Sequence, residues 1–378
     1  MKLALFFTCN ISLELWVNKG LFDREKLLYE EHLCKGNIEK VYWLTYGKND
    51  AAIERQLKQQ DRLHPDIIVL PMPRFFVGKL GRLIYSFLIF LFHRKALKQA
   101  DIFKTNQMFG SWTAVIAKWF YKRPLIVRTG WTLTQLQSQL DNNNLIRNKI
   151  YEYIERFAFR FCDIVVVAGK HNKIYLLGKY KIDEDKIIII RNYIDITKFK
   201  PLDSATKSDH VIFVGSLTKV KNVYNLIKVF SNSNLTLVIY GSGKLRDNLE
   251  QWANEQKANI SFKGVVSNSK LPKILNQYRY FILPSLYEGM PKSLLEAMAC
   301  GLVCIGTNTE GINEIIDDGI TGYLVNGTEA DDIAAVLNKA MLSSNESIRA
   351  NGVKKIHSEF SLEKAVKKEC DVFSILMK

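Results

Sequence analysis

Two carboxylates eight residues apart, Glu288 and Glu296, are the residues of this chain best placed to do chemistry. Between them lie Gly289, Met290, Pro291, Lys292 and Ser293. Leu294, Leu295, Met298 and Ala299 then fall on one helical face, and Gly301 stops the helix. Upstream, the apolar run 280–283 ends at Pro284 and Ser285 and reads as a buried strand; Val303, Cys304 and Ile305 begin the next. The unit is strand, loop, helix, strand. It sets two acids and a helix N-terminus at the carboxyl end of a strand, where open α/β sheets bind ligands. A helix start offers N–H groups and a positive dipole end to an anion. A plainer reading stands beside this one. Ser293 and Glu296 also spell a capping box, in which Glu296 only closes the helix start, and Glu288 beside Gly289 could be an ordinary loop residue. Pro291 suits a first-turn position on either reading.

The elements that must position these residues alternate along the whole chain. Apolar runs at 2–7, 41–45, 67–70, 125–128, 164–168 and 187–190 are separated by helical stretches such as 148–161. That is the βαβ rhythm of a parallel sheet. Residues 198–210 turn polar and read as a linker. The rhythm restarts with strands expected at 210–214, 235–240, 260–262, 280–283, 303–305 and 322–325. At 378 residues two domains are expected, each with its own core. They are placed at 1–198, joined by a last helix at 360–378, and at 199–359.

The second half carries further phosphate-type features. A strand at 211–214 runs into Gly215 and Ser216 and delivers Lys219 and Lys221 to a helix start, where a lysine can neutralise a diphosphate as a point charge. Either lysine could equally be a solvated surface residue. Gly241, Ser242 and Gly243 follow a strand as a tight turn but lack the third glycine of a dinucleotide fingerprint. Asp183, Glu184 and Asp185 read as a solvated turn.

Composition closes off other classes. Six cysteines without paired spacing argue for a reduced interior rather than a disulfide framework. The six histidines form no metal-ligand pattern, so no bound metal is expected. Residues 1–7 resemble a signal start, but the apolar run is short and no small-residue cleavage site follows; a first strand is expected. The net charge of +15 is uneven: residues 74–128 hold eleven Lys or Arg against one acid, Asp101. Inside lies the apolar, aromatic run 83–92, too short to span a bilayer. It reads as a buried helix, as an interfacial helix on anionic lipid, or as a nucleic-acid face. No helix-turn-helix, zinc-finger or RNA-binding pattern supports the last.

Taken in order, the second-half motifs resemble glycosyltransferase family 4, the group 1 retaining enzymes of the GT-B fold. Asn192, Tyr193, Ile194 and Asp195 with Phe199 and Pro201 are similar to the family's interdomain junction. Gly215 to Lys221 is similar to its phosphate-side loop, and Gly241 with Gly243 to its Gly-x-Gly turn. Phe262 with Gly264, Leu271 with Pro272, and Pro284 with Ser285 continue the order. So do Glu288, Gly289, Pro291, Glu296 to Gly301, Gly311, Glu314, Gly319 and Gly322 to Val325. The resemblance implies two doubly wound Rossmann-like domains facing across a cleft, with the C-terminal helix crossing back to the first. It further implies that Glu296 holds the donor's ribose hydroxyls, Glu288 contacts the donor sugar and Lys221 binds the diphosphate. Backbone N–H groups of Gly289, Met290 and Lys292 would serve sugar and phosphate, and the remaining donor contacts would come from Gly215, Ser216, Lys219, Pro291 and Ser293. It favours binding over mere capping for Glu296.

The implied activity is metal-independent transfer of a hexose-type sugar, with retention, from a nucleoside diphosphate sugar to an oligosaccharide acceptor. The basic, aromatic 74–128 region suits a lipid-linked acceptor at the cytoplasmic membrane face, as in bacterial surface polysaccharide assembly. Three departures stand out. Ser216 replaces a usual arginine, residues 8–12 replace a glycine-rich loop, and Gly130 stands where the family often has histidine. Arg128 and Trp131 are the acceptor-side candidates there. A nucleotide-sugar epimerase and a non-catalytic nucleotide-sugar-binding protein remain as alternatives.

Overall fold

The computed structural model describes residues 1–139, 144–202 and 207–378. They form two compact units, Met1–Ile190 with Val366–Lys378, and Arg191–Ala365. The polar stretch 198–210 therefore falls inside the second unit; its residues 203–206 lie outside the described residues. Before them the chain is tied down: Phe199 is buried, Leu202 N–H donates to Asn276 Oδ1 at 2.9 Å, and Asn276 Nδ2 donates to the Lys200 carbonyl at 3.0 Å.

In the first unit the strands are β1 (Lys2–Phe6), β2 (Lys40–Leu44), β3 (Ile67–Leu70), β4 (Ile102–Thr105), β5 (Leu125–Thr129), β6 (Ile164–Val167) and β7 (Ile187–Ile189). They form one parallel sheet in the order β3-β2-β1-β4-β5-β6-β7. The second unit holds β8 (Ser208–Val214), β9 (Leu237–Tyr240), β10 (Ile260–Gly264), β11 (Tyr278–Leu283), β12 (Val303–Thr307) and β13 (Tyr323–Val325). Its sheet is also all parallel, ordered β10-β9-β8-β11-β12-β13. Both faces of such sheets are covered by helices, so central strands are continuous apolar runs, as in the wholly buried β6. These are two Rossmann-like α/β units, the architecture of the GT-B fold.

Strand β4 has no counterpart in the sequence expectations, and the reason is chemical. Its Lys104 is fully buried and breaks the apolar run. The ammonium pairs with Glu369 on the last helix, Leu362–Leu376, and Glu369 Oε2 also meets His32 Nε2 at 3.2 Å. Burial alone would raise the Glu369 pKa, but the Lys104 charge and the His32 hydrogen bond hold it down at about 2. A buried charge persists only with such partners, so this cluster fastens the last helix to the first unit.

The run 83–92 belongs to the helix Gly78–Phe92. Tyr85, Ser86, Ile89 and Phe90 are buried, whereas Leu83, Ile84, Phe87, Leu91 and Phe92 are exposed. The expectation of a wholly buried helix is thus corrected. Among the described residues no helix is long and apolar enough to cross a membrane.

Candidate active site

In the second unit the strand order reverses between β8 and β11, which lie side by side. Loops leaving the carboxyl ends of two such strands open a crevice between them. The loop after β8 carries Gly215, Ser216, Lys219 and Lys221; the loop after β11 carries Glu288, Gly289, Met290 and Pro291. The topology thus brings these two groups, about 70 residues apart, to one place.

Close backbone approach sets the first loop. Gly215 N–H donates to the Tyr240 carbonyl at 3.0 Å, and Leu217 N–H to the Ser242 carbonyl at 3.0 Å. At Gly241, whose φ is +148°, a Cβ would lie 1.8 Å from the Gly215 carbonyl oxygen; at Gly243 one would lie 2.3 Å from that of Leu217. A short turn, Lys219–Lys221, follows, and Asn222 in the left-handed region (φ 54°) opens the helix Val223–Ser231. Asn222 and Asn225 anchor that start by donating to the Thr328 carbonyl at 2.7 and 2.8 Å.

Lys221 points its ammonium at the Glu288 carboxylate, forming an ion pair whose side chains are only 16% and 12% exposed. Ser285 Oγ donates to the same Glu288 oxygen at 2.7 Å. The two loops are also joined through backbone, Leu286 N–H to the Val220 carbonyl at 2.8 Å. Gly311 (φ +82°) presses on the second loop from the other side, where a Cβ would come within 2.1 Å of the Gly289 carbonyl oxygen and 2.6 Å of that of Glu288. Met290 is buried, and its carbonyl accepts from Asn192 Nδ2 at 2.8 Å. Lys219 and Ser216 are exposed.

The helix after this loop runs Lys292–Ala299, with Pro291 as its cap residue and no side-chain cap. Ser293 is therefore the second helical residue, and the capping-box reading of Ser293 and Glu296 does not hold. The first intrahelical bond, Leu295 N–H to the Pro291 carbonyl at 3.3 Å, leaves the first turn's amides directed out of the helix. Lys292 lays its ammonium 5.2 Å from the centre of the Tyr193 ring. Glu296 is 3% exposed and accepts from Asn268 Nδ2 at 3.0 Å, a residue in the loop after β10. A buried carboxylate, a lysine and a helix start on one crevice can hold a hydroxylated anion.

Two family models match, one described as Glycosyltransferase Family 4 over residues 37–198 and one as Glycosyl transferases group 1 over residues 195–355. The chain belongs to the group 1, family 4 glycosyltransferases. Among this family's members, a Campylobacter jejuni protein is 25% identical over 87% of this chain and 87% of its own. Its name is GalNAc-alpha-(1->4)-GalNAc-alpha-(1->3)-diNAcBac-PP-undecaprenol alpha-1,4-N-acetyl-D-galactosaminyltransferase. An Escherichia coli UDP-Gal:alpha-D-GlcNAc-diphosphoundecaprenol alpha-1,3-galactosyltransferase is 27% identical over 59% of this chain and 63% of its own. Among solved structures, HepE from Anabaena in complex with UDP superposes with a TM-score of 0.77 at 16% identity. Sucrose-phosphate synthase from Thermosynechococcus elongatus superposes at 0.78, also at 16%, and both comparisons span all of this chain.

The first unit holds the acceptor-side candidates. Arg128 is the penultimate residue of β5, and its N–H donates to Thr105 Oγ1 at 3.0 Å; Trp131 follows two residues after that strand, its carbonyl accepting from Thr129 Oγ1 at 2.7 Å. In the turn 8–12, Asn10 adopts φ 68° and Ser12 caps the helix Leu13–Asn18 by accepting from Leu15 N–H at 3.0 Å. Gly110 packs on this turn, with a Cβ there only 2.8 Å from the Cys9 nitrogen. Sequence reasoning missed Asn268 and Ser285 as partners of the two glutamates. It also missed Glu155, fully buried, which accepts from Thr134 N–H at 3.1 Å and Thr134 Oγ1 at 2.7 Å and so supports the segment after Trp131. No local pattern announces these; each partner lies more than twenty residues away or across a turn. Among the described residues no group of three His, Cys, Asp or Glu could hold a metal ion, and the cysteines are free thiols.

Proposed function

We propose that this glycosyltransferase moves a hexose-type sugar, with retention, from a nucleoside diphosphate sugar to a lipid-linked oligosaccharide in bacterial surface polysaccharide assembly. It would act as a peripheral protein at the inner face of the cell membrane. The observation that carries the reading is the meeting of Lys221, Glu288 and a helix start at the β8–β11 reversal, with Glu296 buried four residues into that helix. Relatives named for diphospho-undecaprenol-linked substrates support the acceptor class, and the UDP complex of HepE supports the donor class.

In this proposal Glu296 accepts from the two ribose hydroxyls, which a carboxylate can do with its two oxygens. Lys221 spends one of its three N–H donors on Glu288 and offers others to the diphosphate. The helix start stabilises the charge that grows on the leaving phosphate. The bond between the anomeric carbon and the phosphate oxygen breaks as the acceptor oxygen bonds on the same face. The acceptor's proton passes to the leaving phosphate oxygen, so no protein nucleophile is needed. Lysine and amides provide the positive charge, and no metal or cofactor is assigned. A thermal-shift screen of nucleoside diphosphates and their sugars tests the site. A ligand at 100 times its dissociation constant adds about 2.7 kcal/mol of stability, and Glu296→Ala should abolish that gain. A full shift in the variant, or none with any diphosphate in the wild type, refutes the assignment.

A further inference from the structure

The helix Gly78–Phe92 is apolar on two sides, and only one of them is packed. Tyr85, Ile89 and Phe90 face the core of the first unit. Leu80, Leu83, Ile84, Phe87 and Leu91, spaced i, i+3, i+4, i+7 and i+11, make a second stripe that is exposed. Phe75, Val77 and Phe92 extend it, with Phe75 and Leu80 exposed at 67% and 68%. From residue 83 to residue 92 the helix carries no charged side chain, a helix apolar on more than its core face belongs in apolar surroundings there too, and exposed patches of this kind mark docking sites. The surface continues onto a neighbouring helix, Ser111–Tyr121, where exposed Phe120 stacks on Phe90 with ring centres 4.0 Å apart.

Charge selects the partner. From residue 74 to residue 98 the chain carries Arg74, Lys79, Arg82, Arg94, Lys95 and Lys98, all exposed, and no acid. A protein interface of ordinary kind is depleted in charge at its core and has no need of a one-signed rim. Apolar and aromatic side chains flanked by lysine and arginine match a bilayer surface, whose acyl region takes the former and whose anionic headgroups take the latter. We infer that the exposed face of the Gly78–Phe92 helix is the seat by which this protein rests on an anionic membrane. The inference deepens the reading of a lipid-linked acceptor and rests on it, since such a seat would hold the first unit at the headgroups where the acceptor's diphosphate lies.

Co-sedimentation with vesicles of phosphatidylcholine alone, and of phosphatidylcholine with phosphatidylglycerol, tests it. Wild type should be retained on the anionic vesicles at low salt and released as salt rises. The Leu80→Glu/Leu83→Glu variant should lose about tenfold or more in vesicle affinity, because carboxylates replace apolar groups that the bilayer would bury and oppose the anionic surface. Its nucleoside diphosphate thermal shift should stay intact, which shows that it folds. Two results overturn the inference: wild type left in the supernatant with both vesicles, or a variant retained as well as wild type. A concentration-dependent dimer that the variant abolishes, without vesicle retention, also overturns it by assigning the face to a second copy. Sugar transfer to detergent-dispersed acceptor is measured separately. Transfer without vesicle binding sinks the seat and spares the function; binding without transfer does the reverse.

Discussion

Replacing Lys221 by alanine should slow turnover far more than it weakens the fold. The magnitude follows from its setting. The Lys221 and Glu288 side chains are 16% and 12% exposed, and Glu288 keeps the Ser285 hydroxyl at 2.7 Å when the ammonium is gone. Losing one charge-assisted hydrogen bond from a partly solvated site costs about 1–2 kcal/mol of stability. That corresponds to roughly 2–8 °C in melting temperature for a domain of this size. If Lys221 also meets the diphosphate, the transition state loses a preorganised donor, an effect of about 10²–10³ in kcat. The assay is release of nucleoside diphosphate from the sugar nucleotide that gives the largest thermal shift, at saturating donor. Glu288→Gln keeps the shape of the carboxylate and removes its charge, so the double variant closes a cycle. Lys221→Ala alone and Lys221→Ala/Glu288→Gln should be comparably slow. Turnover restored in the double variant would mean that Lys221 does no more than neutralise Glu288. Turnover within a few-fold of wild type in Lys221→Ala would remove it from the chemistry altogether.

The backbone contact at Gly311 makes the donor loop sensitive to one methyl group: Gly311→Ala, with φ +82° and a Cβ 2.1 Å from the Gly289 carbonyl oxygen, should raise the donor KM before it abolishes folding. Steady-state kinetics on the folded fraction checks this. Glu369→Ala should cost about 3–5 kcal/mol, because it leaves Lys104 buried without a counter-charge, and urea unfolding measures it. The acid dependence of the same group has a definite sign. Its folded pKa, about 2, lies below the ordinary glutamate value of 4.5, so its contribution is complete above about pH 4.5 and is lost as pH falls towards 2. The advantage of wild type over Glu369→Gln should shrink by about 2 kcal/mol between pH 6 and pH 3. If Lys221 and the helix start carry the charge stabilisation as proposed, activity should persist in the presence of a chelator; loss of turnover on chelation, restored by a divalent cation, would refute that.

Strands show in the sequence where burial on both faces demands uninterrupted apolar residues, as in β6 and in residues 280–283 of β11. The expected runs there need correction only at their ends. Strand β4 fails the same test because its position beside the last helix calls for Lys104, whose partner Glu369 is 265 residues away. A long-range ion pair leaves no periodicity. Glu155 is hidden for the same reason: it accepts from Leu133 and Thr134, 22 and 21 residues upstream, and from Tyr180, 25 residues downstream. The helix Gly78–Phe92 was ambiguous because core contact and an outward apolar stripe produce the same composition; only burial, residue by residue, separates them.

The loops after β8 and β11 were legible for a different reason, and it bears on how the proposed site works. Gly241, Gly243 and Gly311 occupy points where one backbone touches another and any side chain would collide, and at Gly215 a Cβ would lie 3.0 Å from the Phe213 ring. Those contacts form a chain: the turn after β9 supports the loop after β8, and the loop after β12 supports Glu288 and Gly289. Glycine spacing in the sequence is therefore a record of loop-on-loop packing. The side chains proposed to bind the donor, Lys221 and Glu288, are each held one or two residues from such a contact or from a backbone hydrogen bond. Their placement rests on rigid main chain rather than on side-chain packing. A conservative change at Lys221 or Glu288 should then alter chemistry while leaving the loop in place. A methyl group at Gly241 or Gly311 should move the loop while leaving every polar group intact. Two classes of variant with opposite signatures, kcat for the first and KM for the second, are what this architecture demands.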